Sequence, residues 1–244
     1  MPKVPKWMAD AMQSLFSGMY HPVQVTATEE LEERLRRVRF EGDFSGSKRA
    51  FVPGNVIEFR VSDTEFRHYT PSYFDPKAGV CEVLFYLHGK GPGSKWVADL
   101  KVGETLNLLG PGGKIGYNAS SQNHIAFGDE TSLGSFACIE AEAKQQRHSF
   151  YSIAELDKEN KHWPKALQLE TTVVEKDKEM KAIETIRYLD GYLANYSREK
   201  ASTTFYLTGN AKSISGVKKF LISRGFESKQ IRTEPYWSEG KTGL

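Results

Sequence analysis

The hydrophobic pattern of this chain changes near residue 119, and that change constrains the fold more than any other feature. Before it, short segments that alternate apolar and polar residues, such as residues 56–61, lie between turns rich in Gly and Pro. After it, short apolar strand segments alternate with longer helical segments. The first pattern predicts an antiparallel barrel, and the second predicts a parallel sheet flanked by helices. We therefore expect two domains, residues 1–118 and residues 119–244.

The expected elements follow from these patterns and from the turn residues between them. In the first domain we predict strands at residues 23–27, 35–40, 56–61, 67–73, 80–88 and 105–109, with 67–73 and 80–88 forming a hairpin. In the second domain residues 124–146 are predicted to form a short apolar strand, a turn and a helix. Further strands are predicted at residues 148–154, 167–174, 204–208 and 230–234, and further helices at residues 178–196 and 214–224.

Composition narrows the classes of function. The chain has 244 residues and a formal net charge of +2, without a polybasic run, so nucleic acid is not an expected partner. Cys81 and Cys138 are far apart, which argues against a disulfide framework or a structural zinc site. Neither a signal peptide nor an apolar run long enough to span a bilayer is recognisable. We expect a cytoplasmic location.

The first candidate site is the Arg-x-Tyr-Thr unit formed by Arg67, Tyr69 and Thr70. On an extended strand Arg67 and Tyr69 project to the same side. An Arg side chain can hold a phosphate through its planar donors, and a Tyr side chain can pack along a flat ring. An ordinary strand with a surface Arg and a half-buried Tyr would explain the same residues.

The second candidate is the segment Gly91-Pro92-Gly93-Ser94-Lys95-Trp96. Ser94 is predicted to cap a helix that runs through Leu100. A helix start presents unpaired N–H groups and partial positive charge, which suit a pyrophosphate. Together with the Arg-x-Tyr-Thr unit it suits a flavin dinucleotide, although a turn without a ligand can have the same residues.

The third candidate is the turn Gly128-Asp129-Glu130-Thr131, which follows an apolar strand, as does the similar turn Gly209-Asn210-Ala211. In open α/β sheets, ligands bind at the carboxyl ends of strands. Neither turn is a G-x-G-x-x-G fingerprint, and either can be ordinary strand–helix punctuation. The sequence contains no G-x-S-x-G elbow, so no side-chain nucleophile is predicted.

In their order and spacing these motifs resemble the siderophore-interacting protein family of ferric-chelate reductases, within the ferredoxin–NADP reductase superfamily. The resemblance covers about residues 20–240. Its most specific segments are RHYT, LHGKGPGSKWVADLKVGETLNLLGPGG, FGDETSL and EPYWSEG. It implies an antiparallel flavin-binding β-barrel followed by a parallel-sheet nicotinamide-binding domain.

The resemblance also implies which residues hold the cofactors. Thr70 and Thr131 would lie nearest the reacting flavin, and the Gly-Asp-Glu-Thr turn would face the flavin and the incoming nicotinamide. The terminal aromatic pair would cover the flavin or adenine, or close the sheet. The implied cofactor-binding residues are Arg67, Tyr69, Thr70, His88, Gly89, Gly93, Ser94, Lys95, Trp96, Asp129, Glu130, Thr131, Tyr236 and Trp237.

The implied function is transfer of electrons from NADH or NADPH through FAD to a ferric siderophore or another ferric chelate, without a resident metal. The chain departs from the family pattern at Pro71-Ser72-Tyr73, where basic residues are usual, and at Gly134, where proline is usual. A general flavin-dependent electron transferase with a protein or small-molecule acceptor, and a non-catalytic flavin-binding module, both stay open. The residues that would choose between NADH and NADPH are predicted in loops after residue 153 or 174. The sequence leaves the oligomeric state undetermined.

Overall fold

The computed structural model describes residues 4–15, 19–179, 181–194 and 200–240. The chain divides into two compact units, one containing the residues up to Gly113 and one spanning Lys114–Glu239. In the part of the chain that is described, no helix is long and apolar enough to cross a membrane.

In its described residues, the first unit contains one sheet and two short α-helices. The helices are α1 (Lys6–Leu15) and α2 (Pro92–Asp99). The strands are β1 (Tyr20–Glu32), β2 (Leu35–Gly42), β3 (Val56–Ser62), β4 (Glu65–Tyr69), β5 (Pro71–Asp75), β6 (Val80–Tyr86) and β7 (Thr105–Gly112).

The strand order shows that this sheet is a closed barrel. All its pairs are antiparallel, in the order β4-β3-β7-β1-β2-β6-β5. The first and last strands of that order are consecutive in the chain and are joined by Thr70 alone. The sheet must therefore curl until its two edges meet at Thr70. The predicted antiparallel barrel is confirmed.

The same topology corrects the prediction of a single strand at residues 67–73. β4 pairs with β3, where Arg67 lies opposite Phe59, whereas β5 pairs with β6, where Phe74 lies opposite Cys81. The predicted hairpin is formed by β5 and β6 only. Pro71 is the first residue of β5, a strand position that a residue without a backbone N–H can occupy.

Apolar residues at alternate strand positions fill the barrel. They include Val23 and Val25 of β1, Phe40 of β2 and Phe59 of β3, all of which are buried. The ring centroids of Phe40 and Phe59 are 4.9 Å apart. The period of two in the sequence therefore corresponds to the inward face of the barrel.

The second unit is a parallel sheet with helices. Its strands are β8 (Asn123–Gly128), β9 (Ser149–Leu156), β10 (Thr171–Glu175), β11 (Thr203–Asn210) and β12 (Ile231–Trp237). Its α-helices are α3 (Leu133–Gln146), α4 (Trp163–Ala166), α5 (Ile183–Ala194) and α6 (Ala211–Ser223). The strand order is β10-β9-β8-β11-β12, and every pair is parallel. This confirms the predicted parallel-sheet architecture.

Two predicted elements of this unit are shorter than expected. The strand predicted at residues 167–174 begins only at Thr171, because α4 is capped by Leu167 and Gln168 has a positive φ of 58°. The helix predicted at residues 178–196 spans Ile183–Ala194. Met180 and Tyr196, which belonged to that prediction, lie outside the described residues.

The order in which strands are added to the sheet reverses between the parallel strands β8 and β11. From β8 the chain adds β9 and β10 on one side, and then returns to add β11 and β12 on the other. In open α/β sheets such a switch point forms the ligand-binding crevice at the carboxyl ends of the strands. The carboxyl ends of β8 and β11 carry Gly128-Asp129 and Gly209-Asn210, the two turns that the sequence indicates.

Candidate cofactor and coenzyme sites

Arg67 and Tyr69 of β4 both lie against helix α2. A Cβ atom built on Gly93 would be 2.6 Å from Tyr69 Oη and 3.5 Å from Arg67 Cγ. The two side chains therefore share one face of β4, and that face meets the start of α2. The Arg-x-Tyr-Thr unit and the Gly-Pro-Gly-Ser segment, about twenty residues apart in the sequence, form one cluster.

The ring of Tyr69 is fixed by other aromatic rings. Its centroid is 4.7 Å from that of Phe85, and it stacks on Trp96 at 6.2 Å. Trp96 also packs on Phe59 at 5.2 Å, so the underside of α2 is an aromatic layer. Burial raises the pKa of Tyr69 well above its usual value of 10. Its hydroxyl is therefore protonated at neutral pH and can donate a hydrogen bond.

The guanidinium of Arg67 is oriented by its own strand. It donates to the carbonyl oxygen of Phe66 at 2.8 Å and to Glu65 Oε1 at 3.0 Å. Arg has five N–H donors in a fixed plane, so a side chain held in this way is suited to present donors to an anion. Thr70, which closes the barrel next to it, is buried.

The helix start differs from the prediction that Ser94 is its cap. Gly91 is the N-cap residue, with φ of 84°, and Pro92 occupies the first turn. Ser94 lies inside that turn, where its Oγ accepts a hydrogen bond from the Gly89 N–H at 3.0 Å. The prediction was wrong because proline is favoured at the first helical position, and this moves the cap upstream.

The remaining predicted residues of this segment have local roles. His88 Nδ1 accepts from the Lys90 N–H at 3.1 Å, and burial lowers the pKa of His88, so the ring is neutral at pH 7. Lys95 is exposed and pairs with Asp99 at 2.9 Å. Gly89 has a positive φ of 74°, which a residue with a side chain rarely adopts.

Arg36 on β2 supports α2 from below, and sequence reasoning missed it. Its guanidinium donates to the carbonyl oxygens of Val97, Ala98 and Leu100, which end the helix. The last carbonyls of a helix lack the usual i+4 partner, and of these three the Val97 carbonyl also accepts from the Leu100 N–H at 3.3 Å. A buried cation at this end of the helix therefore stabilises it. No local signal reveals this contact, because Arg36 is about sixty residues from its acceptors.

At the carboxyl end of β8, Asp129 closes its own turn. Its Oδ1 accepts from the Thr131 N–H at 2.9 Å and from the Thr131 hydroxyl at 2.5 Å, while Ser132 Oγ accepts from the Asp129 N–H at 3.2 Å. Trp237 Nε1 donates to Asp129 Oδ2 at 2.7 Å. Trp237 therefore ties the end of β12 to this turn.

Gly209 makes the close approach of β11 to this turn possible. A Cβ atom at Gly209 would lie 2.5 Å from Asp129 Oδ2, and its φ is 94°. Asn210 follows and caps α6, since its Oδ1 accepts from the Lys212 N–H at 2.8 Å and the Ser213 N–H at 3.2 Å. Side chains of the chain itself thus occupy N–H groups at both helix starts of the switch point.

Glu130, implied above as a cofactor residue, is buried among partners of the second unit. Its Oε1 accepts from the Asp157 N–H at 2.7 Å and from Asn160 Nδ2 at 3.0 Å, and its Oε2 contacts Lys176 Nζ at 2.6 Å. These contacts join the carboxyl ends of β8, β9 and β10. The geometry favours a positioning role for Glu130.

Glu155 is a second buried carboxyl at the same edge, and no local sequence pattern indicates it. Its two oxygens accept from Thr185 Oγ1 at 3.1 Å and from Ser213 Oγ at 2.9 Å. Burial raises the pKa of Glu155 to about 7, although both hydroxyls favour the carboxylate. It links β9 to α5 and α6.

Two histidines of the second unit, His124 and His148, lie at the opposite, amino-terminal end of the sheet. The rings of Tyr117 and His124 stack at 4.3 Å, and the Tyr117 hydroxyl lies 2.7 Å from His148 Nδ1. Burial, with His148 nearby, lowers the pKa of His124 to about 4. Among the described residues no group of three or more His, Cys, Asp or Glu side chains is arranged to hold a metal ion.

Two family models match the chain. The model described as siderophore-interacting protein matches residues 121–240, and the model described as siderophore-interacting FAD-binding domain matches residues 58–115. The second range contains most of β3 and all of β4 to β7 and α2, and it therefore includes Arg67, Tyr69 and the start of α2.

Known proteins show the same likeness at low identity. The ferric vibriobactin reductase ViuB of Vibrio cholerae is 24% identical over 184 residues, which are 72% of this chain and 65% of that protein. The NADH-cytochrome b5 reductase 1 of Aspergillus terreus is 37% identical over 59 residues, which are 24% of this chain and 20% of that protein. The chain thus spans less than two thirds of the length of either relative.

A solved structure shows the fold over almost the whole chain. The siderophore-interacting protein from Acinetobacter baumannii superposes with a TM-score of 0.70 at 16% identity, covering 91% of this chain and 92% of that one. At this identity the likeness establishes the fold.

Proposed function

Because the chain belongs to the siderophore-interacting protein family and contains its FAD-binding domain, we propose that it is an FAD-dependent reductase. The electrons would come from NADH or NADPH, and the acceptor would be a ferric siderophore or another ferric chelate. The observation that carries the proposal is the single cluster of Arg67, Tyr69 and the start of α2, within the range that the FAD-binding model matches.

The donors of this cluster fit a flavin dinucleotide. A pyrophosphate needs positive charge and N–H donors, which the Arg67 guanidinium and the first turn of α2 supply close together. The hydroxyl of Tyr69 is protonated and fixed by aromatic neighbours, so it can donate to a polar group of the ribityl chain. We propose that these groups and Thr70 hold FAD.

When bound, FAD would supply the redox chemistry, accepting two electrons from a nicotinamide and giving them up to an acceptor. The residues of the chain act by binding and orientation. Arg36 holds the end of α2, and Gly93 lets the helix lie close to Tyr69, so the donors of the cluster keep their geometry. A site whose groups are held by packing loses little free energy to reorganisation when the ligand binds.

The nicotinamide coenzyme would use the carboxyl edge of the parallel sheet in the second unit. This edge contains the switch point between β8 and β11 and the buried groups Asp129 and Glu130. Their contacts with Trp237 and Lys176 fix the shape of the edge. The likeness to an NADH-dependent cytochrome b5 reductase supports a pyridine nucleotide as the electron donor.

Two classes of electron acceptor are considered. The likeness to a ferric vibriobactin reductase supports a ferric chelate. However, Pro71, Ser72 and Tyr73 follow Thr70 on β5, so this strand brings no cation for an anionic chelate. That observation favours a second candidate, a general flavin-dependent electron transferase with a protein or small-molecule acceptor.

Steady-state assays with different acceptors separate the two candidates. The protein, reconstituted with FAD, is given NADH or NADPH and then a ferric catecholate, ferric citrate, ferricyanide, cytochrome c or a quinone. Higher kcat/KM with the ferric chelates supports the reductase. Turnover with cytochrome c or quinone but not with ferric chelates would replace it by the electron transferase.

A further inference from the structure

We propose that Asp157 selects NADH against NADPH by accepting hydrogen bonds from the adenosine ribose hydroxyls of the coenzyme. The proposal rests on the function proposed above. It identifies NADH as the coenzyme that binds at the carboxyl edge of the parallel sheet. The sequence predicts that residues in the loops after residue 153 or 174 choose between NADH and NADPH, and Asp157 lies in the first of these loops.

The position of Asp157 carries the first part of the argument. Asp157 directly follows β9, the strand beside β8, at the carboxyl edge of the sheet. Its N–H donates to Glu130 Oε1 at 2.7 Å, so it lies next to the turn that follows β8. In doubly wound folds an acidic residue at the end of the second strand binds the ribose hydroxyls of NAD.

Exposure separates Asp157 from the buried acidic groups near this turn. Asp129, Glu130 and Glu155 are buried, and each is bound by groups of the second unit. The side chain of Asp157 is 42% exposed and reachable by a ligand. Side chains also occupy N–H groups at the two helix starts of the switch point. Recognition of a ligand at this edge therefore depends largely on exposed side chains.

Charge carries the second part of the argument. The nearest cation is Lys176, which lies 3.3 Å from Asp157 Oδ1 and 2.6 Å from Glu130 Oε2. One ammonium group is thus shared by two carboxylates, and the trio is negative as a whole. A 2′-phosphate would add about 1.5 to 2 negative charges beside it. A ribose diol carries no charge and donates hydrogen bonds that a carboxylate accepts.

The neighbouring charged residues define the competing outcome. Lys158, the next residue, is exposed and is the cation that a 2′-phosphate would approach. Glu175 ends β10, is exposed, and is paired with Lys161 at 2.8 Å. It has the same charge as Asp157 at the same edge but lies one strand further from β8, so it serves as a matched control.

The test measures binding of NADH and NADPH to the FAD-reconstituted protein by isothermal titration calorimetry under anaerobic conditions. Flavin absorbance is recorded in parallel. The variants are Asp157→Asn, Lys158→Met and Glu175→Gln. A hydrogen bond to a charged acceptor contributes about 1.5–3 kcal/mol, which corresponds to about 10- to 100-fold in Kd.

We expect the wild-type protein to bind NADH at least about tenfold more tightly than NADPH. Asp157→Asn should weaken the binding of NADH and bring the Kd values of NADH and NADPH together. Glu175→Gln should leave the ratio of these Kd values unchanged. Tighter binding of NADPH, lost in Lys158→Met, would overturn the proposal. So would an NADH preference that Asp157→Asn leaves intact, or one that Glu175→Gln shifts equally.

The failure of the broader proposal gives a different result. If either coenzyme binds but the flavin absorbance stays unchanged, the reductase function fails, whereas the Kd ratio still decides the role of Asp157. If neither coenzyme binds, both proposals are overturned.

Discussion

The contact between Gly93 and Tyr69 gives the sharpest prediction, because one added methyl group should disturb both stability and FAD binding. In Gly93→Ala, the new Cβ would lie 2.6 Å from Tyr69 Oη, whereas ordinary contacts begin near 3.4 Å. Helix and ring must separate by about 0.8 Å, the difference between those two distances. Tyr69 cannot easily turn away, because Phe85 and Trp96 pack against its ring.

The expected cost follows from two opposing effects. Overpacking of this kind costs about 1–3 kcal/mol. Replacing Gly by Ala in a helix returns about 0.5–1 kcal/mol. We expect a net destabilisation of about 1–2 kcal/mol. Because Arg67 and Tyr69 shift with the helix, FAD affinity should fall by about tenfold, which corresponds to 1.4 kcal/mol.

Urea unfolding followed by circular dichroism measures the stability, and quenching of flavin fluorescence measures the affinity. Gly191→Ala in α5 is the control, because an added Cβ there meets nothing within 4 Å. Tyr69→Phe removes the clashing oxygen, so the double variant Gly93→Ala/Tyr69→Phe should regain at least about half of the lost stability. Strictly additive effects of the two substitutions, or a Gly93→Ala protein as stable as wild type, would refute the reasoning.

Two further predictions concern buried charges of the second unit. Lys176→Met leaves Glu130 buried without its cation, since the side chain of Glu130 is only 1% exposed, and should cost about 3–5 kcal/mol in urea unfolding. Lys161→Met breaks an exposed pair and should cost below about 1 kcal/mol; equal losses would contradict this account. The pKa of Glu155 is raised from 4.5 to about 7, so the folded state binds more protons than the unfolded state between these pH values. Stability should therefore fall as pH rises through this window, and Glu155→Gln should gain up to about 3 kcal/mol over wild type between pH 4.5 and 8. The lowered pKa of His124 makes stability rise with pH, but both proteins contain His124, so this effect cancels in the difference between their free energies of unfolding. A difference in unfolding free energy that does not change with pH would refute the assignment.

The architecture was predictable because it depends on local periodicity. Alternation in residues 56–61 reflects which face of a strand is buried, and such a pattern is visible in the sequence. The split at Thr70 was not predictable in the same way. The sequence indicates one continuous strand over residues 67–73, and only the long-range pairing of β4 with β3 and of β5 with β6 shows that the barrel closes there.

The candidate site was predictable in part for the same reason. Arg67, Tyr69 and Gly93 belong to motifs with local signatures, and the structure brings these three together. The supporting groups have no such signature. Arg36 reaches acceptors about sixty residues away, and Glu155 meets Ser213 at a sequence separation of 58. Buried polar contacts of this kind are fixed by tertiary packing, so composition and spacing do not reveal them.

The most direct test of the central claim is an anaerobic reductant titration of the purified, FAD-reconstituted protein, followed by visible absorbance. We predict a flavin spectrum that NADH bleaches, and that returns when a ferric chelate is added. A protein that fails to bind added FAD would contradict the account at its foundation. A bound flavin that neither NADH nor NADPH reduces would leave a flavin-binding module and exclude the reductase.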